Sequence, residues 1–239
     1  MITLALESTA KIASVALTKD GEVLYLSQEN NGLTHSELLL PMVEQAFTQT
    51  GLCLDDVSLL CCTVGPGSFT GVRIATSMIK GFALGRDIPV VGVSTLLSLA
   101  QNAASLNGII CPVMDARREQ VYTALFSAEN GFVRRIGEDC AMSLTDLAEQ
   151  LKAYQNQPIY FVGDGYSITT KFMEKAGVSF VETDATLIGQ NAASTAILAE
   201  QLFKEGKAIS ADTLQPLYLR LPQAERERLE GKLRTPTVE

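Results

Sequence analysis

The residues best suited to bind a charged ligand form a glycine-rich segment, GPGSFTG, at positions 65–71. The segment lies between an apolar, strand-like run and a helical pattern, where backbone N–H groups and the helix dipole favour an anion. Gly65, Gly67 and Ser68 are candidates for a phosphate-binding loop, with Arg73 as the countercharge. The segment matches neither GxxxxGKS/T nor a full GxGxxG. The alternative is therefore a tight strand-to-helix turn with close helix packing.

Glu7 and His35 are the next side chains with chemical potential. Glu7 ends the first predicted strand, where a carboxylate could position a metal–nucleotide complex or cap the neighbouring hairpin. His35 is the only histidine, so the chain has no HxxxH or HExxH metal site, and any Ser-His-Asp triad would have to use it. We expect His35 to be a polar residue at a helix entrance. The sequence thus predicts no catalytic residue and no metal site.

Charged residues cluster at a predicted strand end at positions 115–120 (DARREQ). Arg117 and Arg118 beside Asp115 could clamp a phosphate or a carboxylate. The alternative is a hairpin turn with internally paired charges and a salt bridge between lobes. Both interpretations stay open at this point.

Composition and charge exclude several classes of protein. The chain has 239 residues, 46% of them hydrophobic, and a formal net charge of −8. Nucleic acid and anionic membranes repel an acidic chain, so we expect neither as a direct partner. The apolar stretches are far shorter than the ~20 residues of a membrane span, and no leader pattern opens the sequence. Five cysteines without CxxC spacing suit a reducing compartment, and we expect a soluble, cytoplasmic protein.

The order of extended and helical segments predicts an α/β fold whose first lobe covers residues 1–105. Three strand-like runs with a hairpin turn open the chain, and two further strands then alternate with helices. This order predicts a mixed five-stranded sheet with helices on its faces. Its helices are predicted at 36–50, 69–85 and 94–105.

Residues 106–239 are predicted to form a second α/β lobe. A long Ala-rich helix at 188–204 is a candidate to pack back on the first lobe. The tail from Gln223 mixes both charge signs, and we expect it to hang loose. Strands are predicted at 108–114, 120–127, 132–140, 159–162 and 178–181.

Two helices of the first lobe carry wide apolar arcs. At about 100° per residue, the apolar residues of the helices at 36–50 and 69–85 each span roughly 200°. A helix on its own sheet needs about half of that, so each helix has a second side to bury. Either neighbouring helices of the lobe or a partner covers it. The candidate interface residues are Leu38, Leu39, Met42, Val43, Phe47, Gly71, Ile74, Met78 and Phe82.

Five motifs follow one another along nearly the whole chain. They are LALEST at 4–9, THSELLLPM at 34–42, VGPGSFTGVRI at 64–74, MDAR at 114–117 and QPLYLR at 215–220. Together they resemble the bacterial TsaB family of tRNA threonylcarbamoyladenosine biosynthesis proteins. The resemblance implies a two-lobe actin/Hsp70-like fold (ASKHA, ribonuclease H-like), in which each lobe is a mixed sheet flanked by helices.

The same resemblance implies a non-catalytic subunit without a cofactor. TsaB-like proteins pair with a TsaD-like threonylcarbamoyltransferase, a small TsaE-like ATPase joins them, and tRNA is reached only through the complex. The related enzyme carries a metal-binding His-x-x-x-His motif, which our register places at Thr95 and Leu99 of this chain. Neither residue replaces imidazole as a metal ligand.

The resemblance also favours a helical bundle with the TsaD-like partner, or with a second copy of the chain when that partner is absent. One shared patch would make the homodimer and the heterodimer mutually exclusive. The alternative function is a free-standing ATP-dependent phosphotransferase or ATPase of the same fold. That function would need two phosphate loops and an acid that organises Mg²⁺.

Overall fold

The first sheet combines an antiparallel meander with two parallel strands. The computed structural model describes residues 1–220. Its first sheet contains β1 (Ile2–Glu7), β2 (Ala13–Lys19), β3 (Glu22–Glu29), β4 (Leu59–Gly65) and β5 (Val90–Ser94), in the order β3-β2-β1-β4-β5. β1 is antiparallel to β2 and parallel to β4, which is parallel to β5. The predicted mixed five-stranded sheet is confirmed.

Three helices of the first lobe begin next to residues with strong capping chemistry. They are α1 (His35–Thr50), α2 (Phe69–Ala83) and α3 (Thr95–Asn102). Glu37 accepts the Thr34 amide at 2.9 Å and so caps α1, which ends at Gly51 with a φ of +70°. Ser68 and Ser94 cap α2 and α3 by accepting backbone N–H groups three residues on. The three predicted helices are confirmed, with ends that differ by a few residues.

The second sheet is built around β6, and helices flank it. Its strands are β6 (Gly108–Asp115), β7 (Gln120–Thr123), β8 (Phe126–Glu129), β9 (Phe132–Arg135), β10 (Cys140–Ser143) and β11 (Ile159–Val162). The helices are α4 (Leu144–Leu151), α5 (Tyr166–Ala176), α6 (Ala185–Ile188) and α7 (Ala192–Lys204). β7 and β8 pair antiparallel to β6, and β11 pairs parallel to it.

The predicted strand at 120–127 is wrong as a single strand, because its ladder with β6 is interrupted. β7 pairs Thr123 with Val113, and β8 pairs Phe126 with Ile110, so both strands keep one register. In that register the interruption lies opposite Cys111 and Pro112. Proline has no N–H to donate, and a ladder loses a hydrogen bond at such a position.

Two other predicted strands of the second lobe are also corrected. The segment at 132–140 is divided into β9 and β10, because the Ile136 and Gly137 amides turn to the Leu125 carbonyl at 2.8 and 3.2 Å. The segment at 178–181 contributes one isolated bridge, between Val181 and Tyr160, instead of a strand.

The predicted helix at 188–204 begins later than expected, at Ala192. Ile188 ends α6, and Gly189 is extended. The Asn102 side chain donates to the Leu187 and Gly189 carbonyls at 3.4 and 2.6 Å, which removes these carbonyls from helical bonding. The Asn191 side chain then accepts the Ala193 amide at 2.8 Å and caps α7.

α7 lies on the first sheet, although it follows the second sheet in sequence. Its small residues Ala192, Ala196 and Ala199 are buried against the strands of the first sheet. On the same helix, Glu200 is buried and accepts the hydroxyls of Thr3 and Thr18 at 3.1 and 2.6 Å. The expected α/β class with two sheets flanked by helices is confirmed.

Among residues 1–220, no helix is long and apolar enough to cross a membrane. The tail from Gln223, which we expect to hang loose, lies outside the described residues.

Candidate functional site

Four of the predicted α1 interface residues lie inside the first lobe instead of on its surface. Leu38, Leu39, Met42 and Val43 are buried in the hydrophobic core that α1 and α2 form with the first sheet, here called the first core. They occupy the part of the apolar arc with which α1 packs on the first sheet. A side chain that is already buried in its own lobe offers no area to a partner. Their predicted place at a partner interface is corrected by this burial.

Gly71 is a point of close approach between α2 and the residues after β1. A Cβ atom at Gly71 would overlap with the carbonyl oxygen of Ser8. The Ser8 hydroxyl also donates to the Gly71 carbonyl at 2.8 Å. Only glycine lets the two backbones come this close. Gly71 is therefore buried and does not belong to a partner surface, which corrects its predicted role.

The outer sides of α1 and α2 form an apolar groove of about 770 Å³. Ile74, Met78 and Phe82 are half-buried in it, and Gly81 is exposed between them. On the α1 side the groove is lined by Leu40, of whose surface 47% is exposed. The residues that line the groove are Ser36, Leu40, Phe69, Thr70, Arg73, Ile74, Ser77, Met78, Gly81 and Phe82.

The groove therefore contains part of the predicted interface and some residues that the prediction missed. Ile74, Met78 and Phe82 belong to both sets. Phe47 is half-buried against the first core and is not among the lining residues. Leu40 is missing from the predicted set, although its place at the edge of the α1 arc was a usable signal.

One end of the groove carries a stack of aromatic and cationic side chains. The Arg73 guanidinium lies 3.9 Å from the centre of the Phe69 ring, and its Nε donates to the Tyr218 hydroxyl at 2.9 Å. The Phe69 and Tyr218 rings stack with centroids 4.5 Å apart. Such contacts hold a long cationic side chain in one orientation. These contacts therefore hold the Arg73 side chain at the rim of the groove.

The glycine-rich segment at 65–71 is packed against the turn that follows β1. The Ser68 amide donates to the Thr9 carbonyl at 2.6 Å, and the Ser68 hydroxyl accepts the Gly71 amide at 3.2 Å. A Cβ atom at Gly67, whose φ is +158°, would overlap with the Thr9 carbonyl. Close packing thus explains these glycines. Phosphate binding by Gly65, Gly67 and Ser68 stays a prediction. The expected countercharge, Arg73, contacts Phe69 and Tyr218 instead.

A second cavity, of about 310 Å³, lies in the cleft between the lobes. Gly67, Ser68 and Lys11 line it from the first lobe, and Arg117 and Asp164 from the second. Burial raises the pKa of the Asp164 carboxyl, against the hydrogen bond from the Asp115 amide and the charge of Lys11, which lower it. The cleft brings together the glycine-rich segment at 65–71 and the charged segment at 115–120.

Glu7 lies buried at the end of β1, and its carboxylate bonds to the following turn. It accepts the amide and the hydroxyl of Thr9 at 2.6 and 2.5 Å. Burial raises the pKa of the Glu7 carboxyl, and the bonds from Thr9 oppose that shift. Glu7 is not among the residues that line the interlobe cleft. The geometry agrees with the capping alternative, in which Glu7 holds the turn after β1.

Replacing the buried carboxylate should change how stability depends on pH. A group whose pKa is raised by folding stabilises the fold fully below its unfolded pKa, and this contribution is lost as the pH rises through the folded pKa. Glu7→Gln should therefore gain stability relative to the native chain from about pH 4.5 upward. Urea unfolding of both proteins between pH 4.5 and pH 8 measures the difference. A difference that stays constant over this range would contradict the buried, pKa-raised carboxylate.

His35 anchors the start of α1 to the turn after β1. Its Nε2 lies 2.6 Å from the Ala10 carbonyl oxygen and donates to it. This contact gives His35 a structural task at the helix entrance, as the sequence interpretation expects. Ala10 itself lines the interlobe cleft.

His35→Ala should cost about 0.5–1.5 kcal/mol of unfolding free energy, the usual net value of one hydrogen bond. Partner binding should stay within a few-fold, because the groove does not include His35. A general acid or base would instead contribute 10²–10⁴-fold to a rate. His35→Gln, which keeps a side-chain N–H donor, is the matched control. A loss of activity above ~10³-fold in the assembled complex would assign His35 a catalytic role.

The charged segment after β6 is a hairpin turn. The Ala116 amide donates to the Gln120 carbonyl at 3.0 Å, and the Asp115 carboxylate accepts the Arg117 amide at 2.7 Å. A link between the lobes comes from Arg220, which donates to the Ala116 carbonyl at 3.1 Å. Anion binding by the two arginines of this turn stays a prediction.

The comparisons with known proteins all lead to tRNA threonylcarbamoyladenosine biosynthesis, through two related families. The family model described as "tRNA N6-adenosine threonylcarbamoyltransferase" matches residues 29–228. The chain is 32% identical to the tRNA threonylcarbamoyladenosine biosynthesis protein TsaB of Bacillus subtilis, over 97% of this chain and 100% of that protein. It is 33% identical to the protein of the same name from Escherichia coli, over 91% of this chain and 94% of that protein.

A solved structure gives the same result for the fold. YeaZ from Pseudomonas aeruginosa superposes with a TM-score of 0.75 and 28% identity, covering 91% of this chain and 99% of that one. The expected two-lobe actin/Hsp70-like fold is confirmed by this likeness together with the family match.

Proposed function

We propose, on the premise that this chain belongs to the family of the tRNA threonylcarbamoyladenosine biosynthesis protein TsaB, that it acts as a non-catalytic subunit in that biosynthesis. In this proposal the chain binds a TsaD-like threonylcarbamoyltransferase through the groove between α1 and α2. The TsaE-like ATPase joins the pair, and tRNA contacts the complex instead of this acidic chain by itself.

The proposal rests on one observation: apolar side chains of α1 and α2 that line the groove stay partly exposed in the isolated chain. Ile74, Met78 and Phe82 are half-buried in the isolated chain, and Leu40 is exposed. Half-buried apolar side chains that line a continuous groove are typical of a surface that packs against another protein. Gly81 leaves room for a second backbone to approach. We propose that a pair of partner helices packs into this groove.

The same groove supports a homodimer when the partner is absent. A second copy would present the same half-buried residues across a two-fold axis, which makes the contact self-complementary. Both pairings would then need the same apolar area. We therefore propose that homodimer and heterodimer exclude each other, and that adding the partner converts one into the other.

The proposal that this chain is non-catalytic is supported by the residue types at the two positions where the related enzyme carries its metal-binding histidines. By our register these positions are Thr95 and Leu99, and both side chains are buried in α3. The only histidine donates to the Ala10 carbonyl at the start of α1. The net charge of −8 also opposes direct binding of tRNA. A cytoplasmic location is part of the same proposal.

The interlobe cleft keeps the alternative function testable. Lys11, Arg117 and Asp164 line it, and charged groups of this kind also occur in phosphate sites. A free-standing phosphotransferase would bind ATP tightly without any partner. Calorimetric titration of the isolated chain with Mg–ATP distinguishes the two functions, and we expect no tight binding.

Pairing with the partner is tested directly by size-exclusion chromatography with light scattering. The chain and the chromosomal TsaD-like protein of the same organism are purified separately and mixed. The proposal expects a one-to-one complex and the disappearance of any homodimer of this chain. Two species that elute independently at micromolar concentrations would contradict it.

A further inference from the structure

Residues 215–220, here named the strap, cross from the first lobe to the second beside the interlobe cleft. The strap begins next to Leu214, which is buried in the first core. The Leu217 amide donates to the Val64 carbonyl at 2.6 Å. A Cβ atom at Gly65 would overlap with the Leu217 carbonyl oxygen, so the strap lies directly against the glycine-rich segment. This end of the strap belongs to the first lobe.

The middle of the strap forms part of the groove rim. Tyr218 stacks on Phe69, with an angle of 26° between the rings, and its hydroxyl accepts Arg73 Nε at 2.9 Å. Phe69 and Arg73 both line the groove. Tyr218 is 39% exposed at this place. Anything that packs on Phe69 and Arg73 therefore restricts Tyr218 as well.

The far end of the strap clamps the turn between β6 and β7. Arg220 donates from Nη1 to the Ala116 carbonyl at 3.1 Å and from Nη2 to the side-chain oxygen of Gln120. Its guanidinium also lies 5.6 Å from the centre of the Tyr122 ring. One side chain thus holds both ends of the turn.

The clamped turn has a backbone that needs such support. Arg117, Arg118 and Glu119 have φ values of +63°, +54° and +55°. Three consecutive side-chain-bearing residues in the left-handed region are unfavourable, and such a backbone persists only where surrounding contacts hold it. The bonds from Arg220 are two of these contacts.

We propose that the strap is a short tether that couples the groove to the second lobe. Tyr218 and Arg220 are two residues apart, so even an extended chain spans at most about 7 Å between them. With so little slack, fixing Tyr218 at the groove also fixes Arg220, and with it the turn at 116–120. Tyr218 and Arg220 are positioning residues in this account. The tether itself concerns the free chain, whereas its use by a TsaD-like occupant rests on the proposed function.

The competing account is that the strap only covers surface, in which case releasing one end leaves the other end unchanged. Hydrogen–deuterium exchange of the full-length free chain decides between the two accounts. The readouts are the Ala116 and Gln120 amides, which close the turn, and the Leu217 amide, which closes the first-lobe end. Circular dichroism confirms that each variant is folded.

The tether predicts an effect at a distance in both directions. Tyr218→Ala should speed exchange of the turn amides by about tenfold, and Tyr218→Phe, which keeps the ring stack, should have a smaller effect. Arg220→Ala should in turn speed exchange at Leu217. Phe132→Ala and Arg134→Ala remove an exposed ring and an exposed guanidinium from β9, and they should leave these amides at native rates. Native rates at the turn in Tyr218→Ala, together with native rates at Leu217 in Arg220→Ala, would overturn the tether.

A second arm adds the TsaD-like protein to the native chain and to Arg220→Ala. Binding should slow exchange at the turn in the native chain, and this protection should be lost in Arg220→Ala while the affinity changes by less than about tenfold. Binding without any protection of the turn would overturn the coupling. If the native chain does not bind that protein, the proposed function fails, and the free-chain arm still decides the tether.

Discussion

Leu40→Glu and Met78→Glu should each weaken pairing with the TsaD-like partner by at least about 100-fold, while the chain stays folded. Both side chains line the groove; Leu40 is 47% exposed and Met78 is half-buried in the isolated chain. A carboxylate there remains hydrated in the free protein, and pairing would bury it without a counter-ion. Burying an uncompensated charge costs several kcal/mol, and each 1.4 kcal/mol is a factor of ten in affinity.

Titration followed by light scattering measures this loss, with Phe132→Glu as the matched control. Phe132 is 79% exposed on β9 of the second lobe, so its replacement adds the same charge away from the groove. The control should pair like the native chain. If Leu40→Glu and Met78→Glu are folded and pair with near-native affinity, the partner surface lies elsewhere on the molecule.

Leu39→Glu should have the opposite phenotype and unfold the first lobe. Leu39 lies about 100° away from Leu40 around the axis of α1 and is fully buried in the first core. A carboxylate in this position would be desolvated without a partner, which costs several kcal/mol. A domain of this kind has only about 5–15 kcal/mol of stability in total. Expression in insoluble form, or a large loss of unfolding free energy, is the expected result.

Leu40→Glu is the matched control for this variant, because it places the same residue one position further along α1. Urea unfolding monitored by circular dichroism compares the two variants. Leu40→Glu should keep the unfolding midpoint close to the native value. A stable, cooperatively unfolding Leu39→Glu protein would mean that α1 is rotated relative to the first sheet.

The first lobe could be predicted almost completely from the sequence, whereas the second could not. The early strands are apolar runs between clear turn signals, and each helix begins at a residue with capping chemistry. In the second lobe, the strand at 120–127 is interrupted by the missing N–H of Pro112 on the neighbouring strand. Similarly, α7 begins late because Asn102, far away in sequence, takes the carbonyls before it. Neither effect can be detected in the segment that it changes.

The groove could be predicted only in part, for a related reason. Periodicity gives the width of an apolar arc but not the edge of the arc that faces the sheet. The arc of α1 includes Leu39 and Leu40, and only the fold shows that the first is core and the second is surface. The rim residue Tyr218 reaches Phe69 from the other end of the chain. No local pattern could have placed it there.

The most direct test of the account is threonylcarbamoyl transfer to tRNA, measured with and without this chain. The TsaD-like and TsaE-like proteins are supplied with the threonylcarbamoyl adenylate and an unmodified substrate tRNA, and modified adenosine is quantified by mass spectrometry. The account predicts no product from this chain alone, efficient modification when all three proteins are present, and a return to background when Leu40→Glu replaces the native chain. Product formed by this chain alone, in a preparation shown to be free of the transferase, would contradict it.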